Sequence, residues 1–269
     1  MSARFLDAVH KPVQHVVEAR RSLITRAEER AAAVKLSAAT RIPAAIDVVV
    51  AGSGFLSLYY LGVHSVISRL SDCKRYAGAS SGAQAPFQLV LAGEEATLDA
   101  YLTHGLLHGH EWLASAMFSA DQNWKALGSH LVDTHRANLS RLDSVCYVSV
   151  SRWTLRGLRN KLYSQWSSCA PEVPAQAFYA TGTALAKCDG YYCTDGGVTN
   201  NLPVFSDAPD RPQLLVRPFK SGLPSRMAVG YTLDQAVDAI RRGQDDAVSF
   251  FEEDDETKRP VALKLQHGS

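Results

Sequence analysis

Apolar and polar positions alternate between two periods along this chain. Ile46 to Val50 (IDVVV) is a β-branched apolar run that stops at a glycine-rich turn, which predicts a buried strand. Beyond the turn, Leu58, Leu61, Val66 and Leu70 fall at helical spacing. Lys74 to Ala77 reads as a brief strand, GASSG as a sharp turn, and Ala83 to Leu91 as the start of a second helix. Further apolar strands are expected at Val145–Val150 and Gln213–Val216. Thr232 to Phe251, with Leu233, Val237, Ile240, Val248 and Phe251 apolar, predicts a closing helix. Strand–turn–helix units repeated in this way imply a parallel sheet covered by helices, an α/β fold.

Residues 1–45 stand apart. Phe5, Val9, Val13, Val16 and Val17 recur at three- and four-residue steps, followed by a charged run from Glu18 to Glu29 and by alanines 31–33. This predicts a helical arm (1–45) ahead of a single larger domain (46–269), whose last part (218–269) is the closing helix and a tail. The arm carries eight Lys/Arg against four Asp/Glu. A basic amphipathic segment can lie on an anionic membrane, but packing on the main domain with a solvated charged face is the expectation.

Composition narrows the classes of partner. The net charge of +1 gives no long-range field to attract a polyanion, so nucleic acid is not expected. The stretch Ile42–Leu58 is interrupted by Asp47 and falls short of the ~20 apolar residues that span a bilayer, so any contact with lipid should be peripheral. Five cysteines are scattered and no apolar signal stretch precedes them, which predicts free thiols in a reducing intracellular compartment.

Three glycine-bearing segments carry candidate chemistry. Gly78-Ala79-Ser80-Ser81-Gly82 is a G-x-S-x-G pattern between a predicted strand and a predicted helix, the context a nucleophile elbow needs. The helix N-terminus that follows offers free N–H groups and a positive dipole to a developing oxyanion. Ser81 is the competing hydroxyl. Gly52-Ser53-Gly54, after the first strand, can turn successive amides into one concavity. It could also open a dinucleotide-binding fingerprint, although Ser57 stands where the third glycine belongs. Asp195-Gly196-Gly197 leaves a carboxylate with little steric shielding, or is an ordinary Asp-Gly turn.

In order and in context, GSGFLS, GASSG and DGG, with Asn200, Asn201 and Pro203 after the last, resemble the patatin-like phospholipase family. The wider strings DVVVAGSGFLSLYYLGV (47–63), RYAGASSGAQ (75–84) and YYCTDGGVTNNLPV (191–204) fit as well, and the resemblance covers roughly residues 46–217. Phe55 and Leu56 in the first motif place it nearest the triglyceride-lipase and adiponutrin-like branch. The resemblance implies a three-layer α/β/α fold and a Ser-Asp dyad that hydrolyses glycerolipid esters at a membrane or lipid-droplet surface. Ser80 would be the nucleophile, Asp195 the general base, and the amides of Gly52, Ser53 and Gly54 the oxyanion hole. Phe55 and Leu56 would contact substrate, and no cofactor or metal is implied. Ser57, at the family's last glycine of that motif, is a departure that bears on activity. A lipid-binding or regulatory protein with an impaired site, or an acyltransferase using the same dyad, are the alternatives.

Other constellations compete. Tyr59, Tyr60 and Phe87 could line an acyl pocket or simply fill the core. His104, His108, His110 and Glu111 could bind a metal if helical, although surface histidines are the plainer reading. A Ser-Asp-His triad would need His267, near the chain end.

Overall fold

In the computed structural model, residues 3–108, 128–207 and 210–266 are described. The strands β1 (Ala45–Val50), β2 (Asp72–Ala79), β3 (Cys146–Thr154) and β7 (Gln213–Val216) are parallel and form the centre of one sheet in the order β3-β2-β1-β7. Antiparallel strands flank them. These are β4 (Gly157–Tyr163), β5 (Ala186–Cys188) and β6 (Tyr191–Asp195) beside β3, and β8 (Leu263–Gln266) beside β7. β1 and β7 match continuous apolar runs of the sequence, as strands buried on both faces do, whereas β3 alternates valine with serine.

The layers are unequal. Ile46, Val48 and Val50 of β1 face a thick helical layer, in which α2 (Ser57–Leu70) packs against α7 (Leu233–Glu252). On the same side, α3 (Ser81–Ala92) and α5 (Val173–Ala180) bury Phe87 and Phe178 against Val148 and Val150. The opposite face, reached by Val49, Ala77 and Leu215, is covered by Phe205, Leu202 and the short α6 (Gly197–Asn200). The result is a three-layer α/β/α arrangement with a thin second helical layer. α7 starts at a capping box in which the Thr232 hydroxyl accepts from Gln235 N–H and the Gln235 side chain accepts from Thr232 N–H.

The N-terminal segment is one long helix, α1 (Ala3–Ala38). Val16, Leu23, Ala27, Ala31 and Val34 are buried against α2, α4 (Glu94–His108) and α7. Phe5, Val9 and Val13 lie outside the described side chains. Its charged positions are tied down by ion pairs, Arg20 with Asp99 and both Arg26 and Arg30 with Asp245. No described helix is long and apolar enough to cross a membrane.

Several candidate pocket residues belong to the core. Leu56, Tyr59, Tyr60 and Phe87 are fully buried. Phe55 is half-buried, stacked between His104 and Tyr231 at ring distances of 5.1 and 5.0 Å.

Candidate active site

The sheet register brings the two distant loops together. β4 pairs with residues 148–154 of β3, so β4 fills one edge of β3 along that whole length. β2 and β6 must then share the other edge. β2 runs parallel to β3 and leaves it at the pair Ala79–Ser149. β6 runs antiparallel and ends at the next position, the pair Val150–Asp195. Two strand C-termini therefore meet head-on along one edge of β3. Ser80 follows the end of the first, and Asp195 is the end of the second.

Ser80 holds φ 55° and ψ −140°, a region that L residues rarely occupy and that costs about 1–3 kcal/mol. It is the N-cap of α3, yet its side chain makes no capping bond. Its carbonyl accepts from Ala83 and Gln84 instead, which leaves the hydroxyl available. The flanking glycines have a steric reason. A Cβ on Gly78 would sit 2.1 Å from the Gly82 carbonyl oxygen, and the elbow could not close.

Asp195 is fixed through its backbone, its N–H donating to Thr183 O at 3.2 Å and its carbonyl accepting from Ser151 Oγ at 2.8 Å. Its carboxylate accepts from Gly197 N–H at 2.7 Å. Burial raises the carboxyl above the ordinary carboxylate range, opposed by the Gly197 amide and, least of the three, by hydrogen bonding with the Ser80 side chain. A half-buried carboxylate facing a hydroxyl, with its pKa raised, is a stronger base than a solvated one.

The glycine loop after β1 presses directly on the elbow. A Cβ on Gly52 would lie 2.7 Å from Ser80 Cβ and 2.6 Å from Asn201 Oδ1, so only glycine fits there. Within this loop the amides have separate partners. Gly52 N–H donates to Asn201 Oδ1 at 3.0 Å, and Ser53 N–H donates to Ser81 Oγ at 3.2 Å. That second bond gives Ser81 a supporting task. Gly54 N–H, at a residue with φ 57°, and Ser81 N–H, at the start of α3, have no protein acceptor among the described residues. Of the three expected amides, that of Gly54 is the one without a protein acceptor among the described residues, and the Ser81 amide beside it is in the same condition. Ser57 begins α2 at φ −57°, where a Cβ is unstrained, so the departure from glycine costs the backbone nothing.

Asn201 is the residue whose task the sequence did not disclose. Its amide brackets the Gly52 peptide, accepting from the N–H and donating to the carbonyl at 3.5 Å. It also lies close to Gly197, where an added Cβ would stand 3.0 Å from Asn201 Oδ1. One side chain therefore couples the glycine loop to the aspartate loop. Ser149, Ser151 and Asn160 do similar work below. Ser151 Oγ bonds Thr199 Oγ1 at 2.8 Å, and Asn160 Nδ2 donates to Ser149 Oγ at 2.6 Å, pinning α6 to β3 and β4. The alternation Val148-Ser149-Val150-Ser151 was the readable signal, since period-two polarity marks one strand face. Under the ester hydrolysis that the motif resemblance leads one to expect, Asn201→Ala should lower kcat by about tenfold or more, because the Gly52 amide loses its acceptor and the loop loses its register. KM should change less, and an unchanged kcat in the folded variant would refute this coupling.

His104 stacks on Phe55 and Tyr231, the His108 side chain, His110, Glu111 and His267 lie outside the described residues, and no metal-binding cluster occurs among the described residues. The fold and site define a three-layer α/β/α protein with a strained serine opposite a half-buried aspartate. The chain matches no protein-family model, and no curated protein matches its sequence.

Proposed function

We propose that the protein is a serine ester hydrolase acting on lipid acyl esters through Ser80 and Asp195. The reading is supported above all by the head-on meeting of β2 and β6, which sets a strained serine hydroxyl against a carboxylate of raised pKa. The motif resemblance to patatin-like phospholipases agrees with it and supplies the substrate class.

In this reading the Ser80 hydroxyl attacks the ester carbonyl carbon while Asp195 takes its proton. The carbonyl oxygen becomes an oxyanion, and the amides of Gly54 and Ser81 are the donors left for it. Collapse expels the alcohol, which receives the proton from Asp195, and leaves an acyl group on Ser80. Water then attacks the acyl-enzyme, with Asp195 again as base, and the fatty acid departs. The α3 N-terminus adds its dipole to the same oxygen.

A fluorophosphonate reagent tests this, because it phosphonylates only an activated serine. Wild-type protein should be labelled at Ser80, and Ser80→Ala should not be labelled. Absence of labelling on folded wild-type protein in buffer, in detergent and with vesicles would overturn the proposal.

A further inference from the structure

The antiparallel end of the sheet carries a second surface. Between Asp143 and Glu172 the chain has four basic residues and no acidic one. All four lie on the β3–β4 hairpin, which projects past Asp195. Leu155 at its tip is fully exposed, held outward by a turn in which Thr154 Oγ1 donates to Gly157 O and accepts from Arg156 N–H. At about 3.3 Å per residue, this tip stands roughly 17 Å beyond the position of Asp195.

Below the tip, register builds a row of side chains across four strands. Leu158 pairs with Trp153, the β3–β6 register continued one residue sets Tyr192 beside Trp153, and Tyr192 pairs with Lys187. Cross-strand neighbours share a face, so this row points one way. Trp153 and Tyr192 are each about half exposed, at 52% and 55%. The row lies on the face of Ser149 and Ser151, where α6 sits, and Val198 of α6 is exposed as well. Exposed Trp, Tyr and Leu with a terminal Lys is the chemistry of a water–lipid boundary.

The opposite face adds charge in an arrangement that costs energy in isolation. Arg152 and Arg159 are direct cross-strand partners, and like charges so placed repel. Arg152 is paired with Asp189, whereas Arg156, Arg159 and Lys161 are exposed and form no ion pair among the described residues. An anionic surface would relieve that repulsion.

We propose that the β3–β4 hairpin docks the protein on a phospholipid surface bearing anionic headgroups. Leu155 and Trp153 enter the headgroup region, while Arg156, Arg159, Lys161 and Lys187 pair with phosphates and carboxylates around them. Asp195 and Tyr192 of the row share β6, so docking through the hairpin places the layer beside the end of the strand that carries the site. This deepens the lipid-hydrolase reading and rests on it for purpose, but its test does not depend on turnover.

The test is co-sedimentation of the full chain with phosphatidylcholine vesicles and with phosphatidylcholine/phosphatidylserine vesicles, carried in the Ser80→Ala background so that lipid is not consumed. Binding should favour the anionic vesicles and weaken as salt rises. Leu155→Asp should weaken it about tenfold. The triple change Arg156→Glu, Arg159→Glu, Lys161→Glu should weaken it more than a hundredfold, at about fivefold for each charge removed near the surface. The same hairpin changes in the wild-type background should leave fluorophosphonate labelling unchanged. Equal binding to both vesicle types, no binding at all, or hairpin variants that bind like the parent would each overturn the proposal. So would concentration-dependent self-association through the β4 edge that vesicles do not compete away. Vesicle binding without Ser80 labelling would retire the hydrolase reading and leave the docking surface standing; labelling without vesicle binding would do the reverse.

Discussion

Replacing Asp195 with asparagine is expected to cut turnover of an acyl ester by about 10²–10⁴-fold, the usual worth of a general base, while the protein stays folded. An amide retains the oxygen that accepts from Gly197 N–H, so the loop keeps its shape. It cannot take the Ser80 proton. The pH dependence has a defined direction. Asp195 must be ionised to act, and burial raises its pKa, so kcat/KM of the wild type should fall on the acid side at a pH above the ~4 of a solvated aspartate. Stability should move the other way. A carboxyl whose folded pKa is raised binds its proton more tightly in the native state, so the native state loses stability as pH rises from the unfolded value through the folded one. At pH 7 the ionised carboxylate is therefore a net cost, and Asp195→Asn should melt no lower than the wild type. Turnover in the asparagine variant within tenfold of wild type would remove Asp195 from the mechanism. Ser80→Ala should go further, to background, and should keep the backbone strain held at φ 55°, because alanine has the same Cβ.

Asp47→Ala should destabilise the fold by about 3–5 kcal/mol, the cost of stranding a buried charge. Asp47 lies on β1, is fully buried, and accepts from Arg75 Nη2 at 2.6 Å, Arg75 Nε at 3.0 Å and Arg211 Nη1 at 3.0 Å. Arg75 is its register partner on β2, nearly buried and stacked on Phe205 at 3.9 Å. Without Asp47 the guanidinium keeps only Asp207, which is 67% exposed. The comparison is Asp207→Ala, which removes a solvent-exposed partner and should cost about 1 kcal/mol or less. Urea unfolding of both variants measures the difference. Equal midpoints would mean that the buried Asp47–Arg75 pair contributes nothing that water cannot replace. Because β1 also leads into the Gly52 loop, loss of activity in Asp47→Ala should track loss of folded protein and not precede it.

The parallel centre of the sheet was legible because buried strands announce themselves as apolar runs: Ile46–Val50 and Gln213–Val216 needed no context. The antiparallel flank was not. β4 reads GLRNKLY, with exposed basic residues, and β5 has only three residues. β6, YYCTD, has two exposed tyrosines. Each is a strand because β3 offers it an edge, and pairing of that kind leaves little local periodicity. The placement of Leu23, Ala27, Ala31 and Val34 in the core was present at three- and four-residue spacing but hidden by the density of charges around it. At the site, Ser80 and Asp195 were visible through their glycines, since close approach leaves a compositional mark. Asn201 was visible only as one letter of a resemblance. Its task depends on a loop that lies far away in sequence, and a side-chain amide carries no mark of its partner.

The shared edge of β3 divides the site into a stiff part and a compliant one. The spacing of Ser80 and Asp195 is measured out by main-chain ladder bonds, as if along a ruler, and shifts in the outer helices have little leverage on it. The glycine loop that carries the Gly54 amide answers to a different constraint, a single asparagine amide and one serine hydroxyl reaching across to Gly52 and Ser53 from neighbouring loops. In the proposed reaction, rate adjustments by temperature, by an adsorbing interface or by substitution should therefore be felt first in charge stabilisation and last in proton transfer.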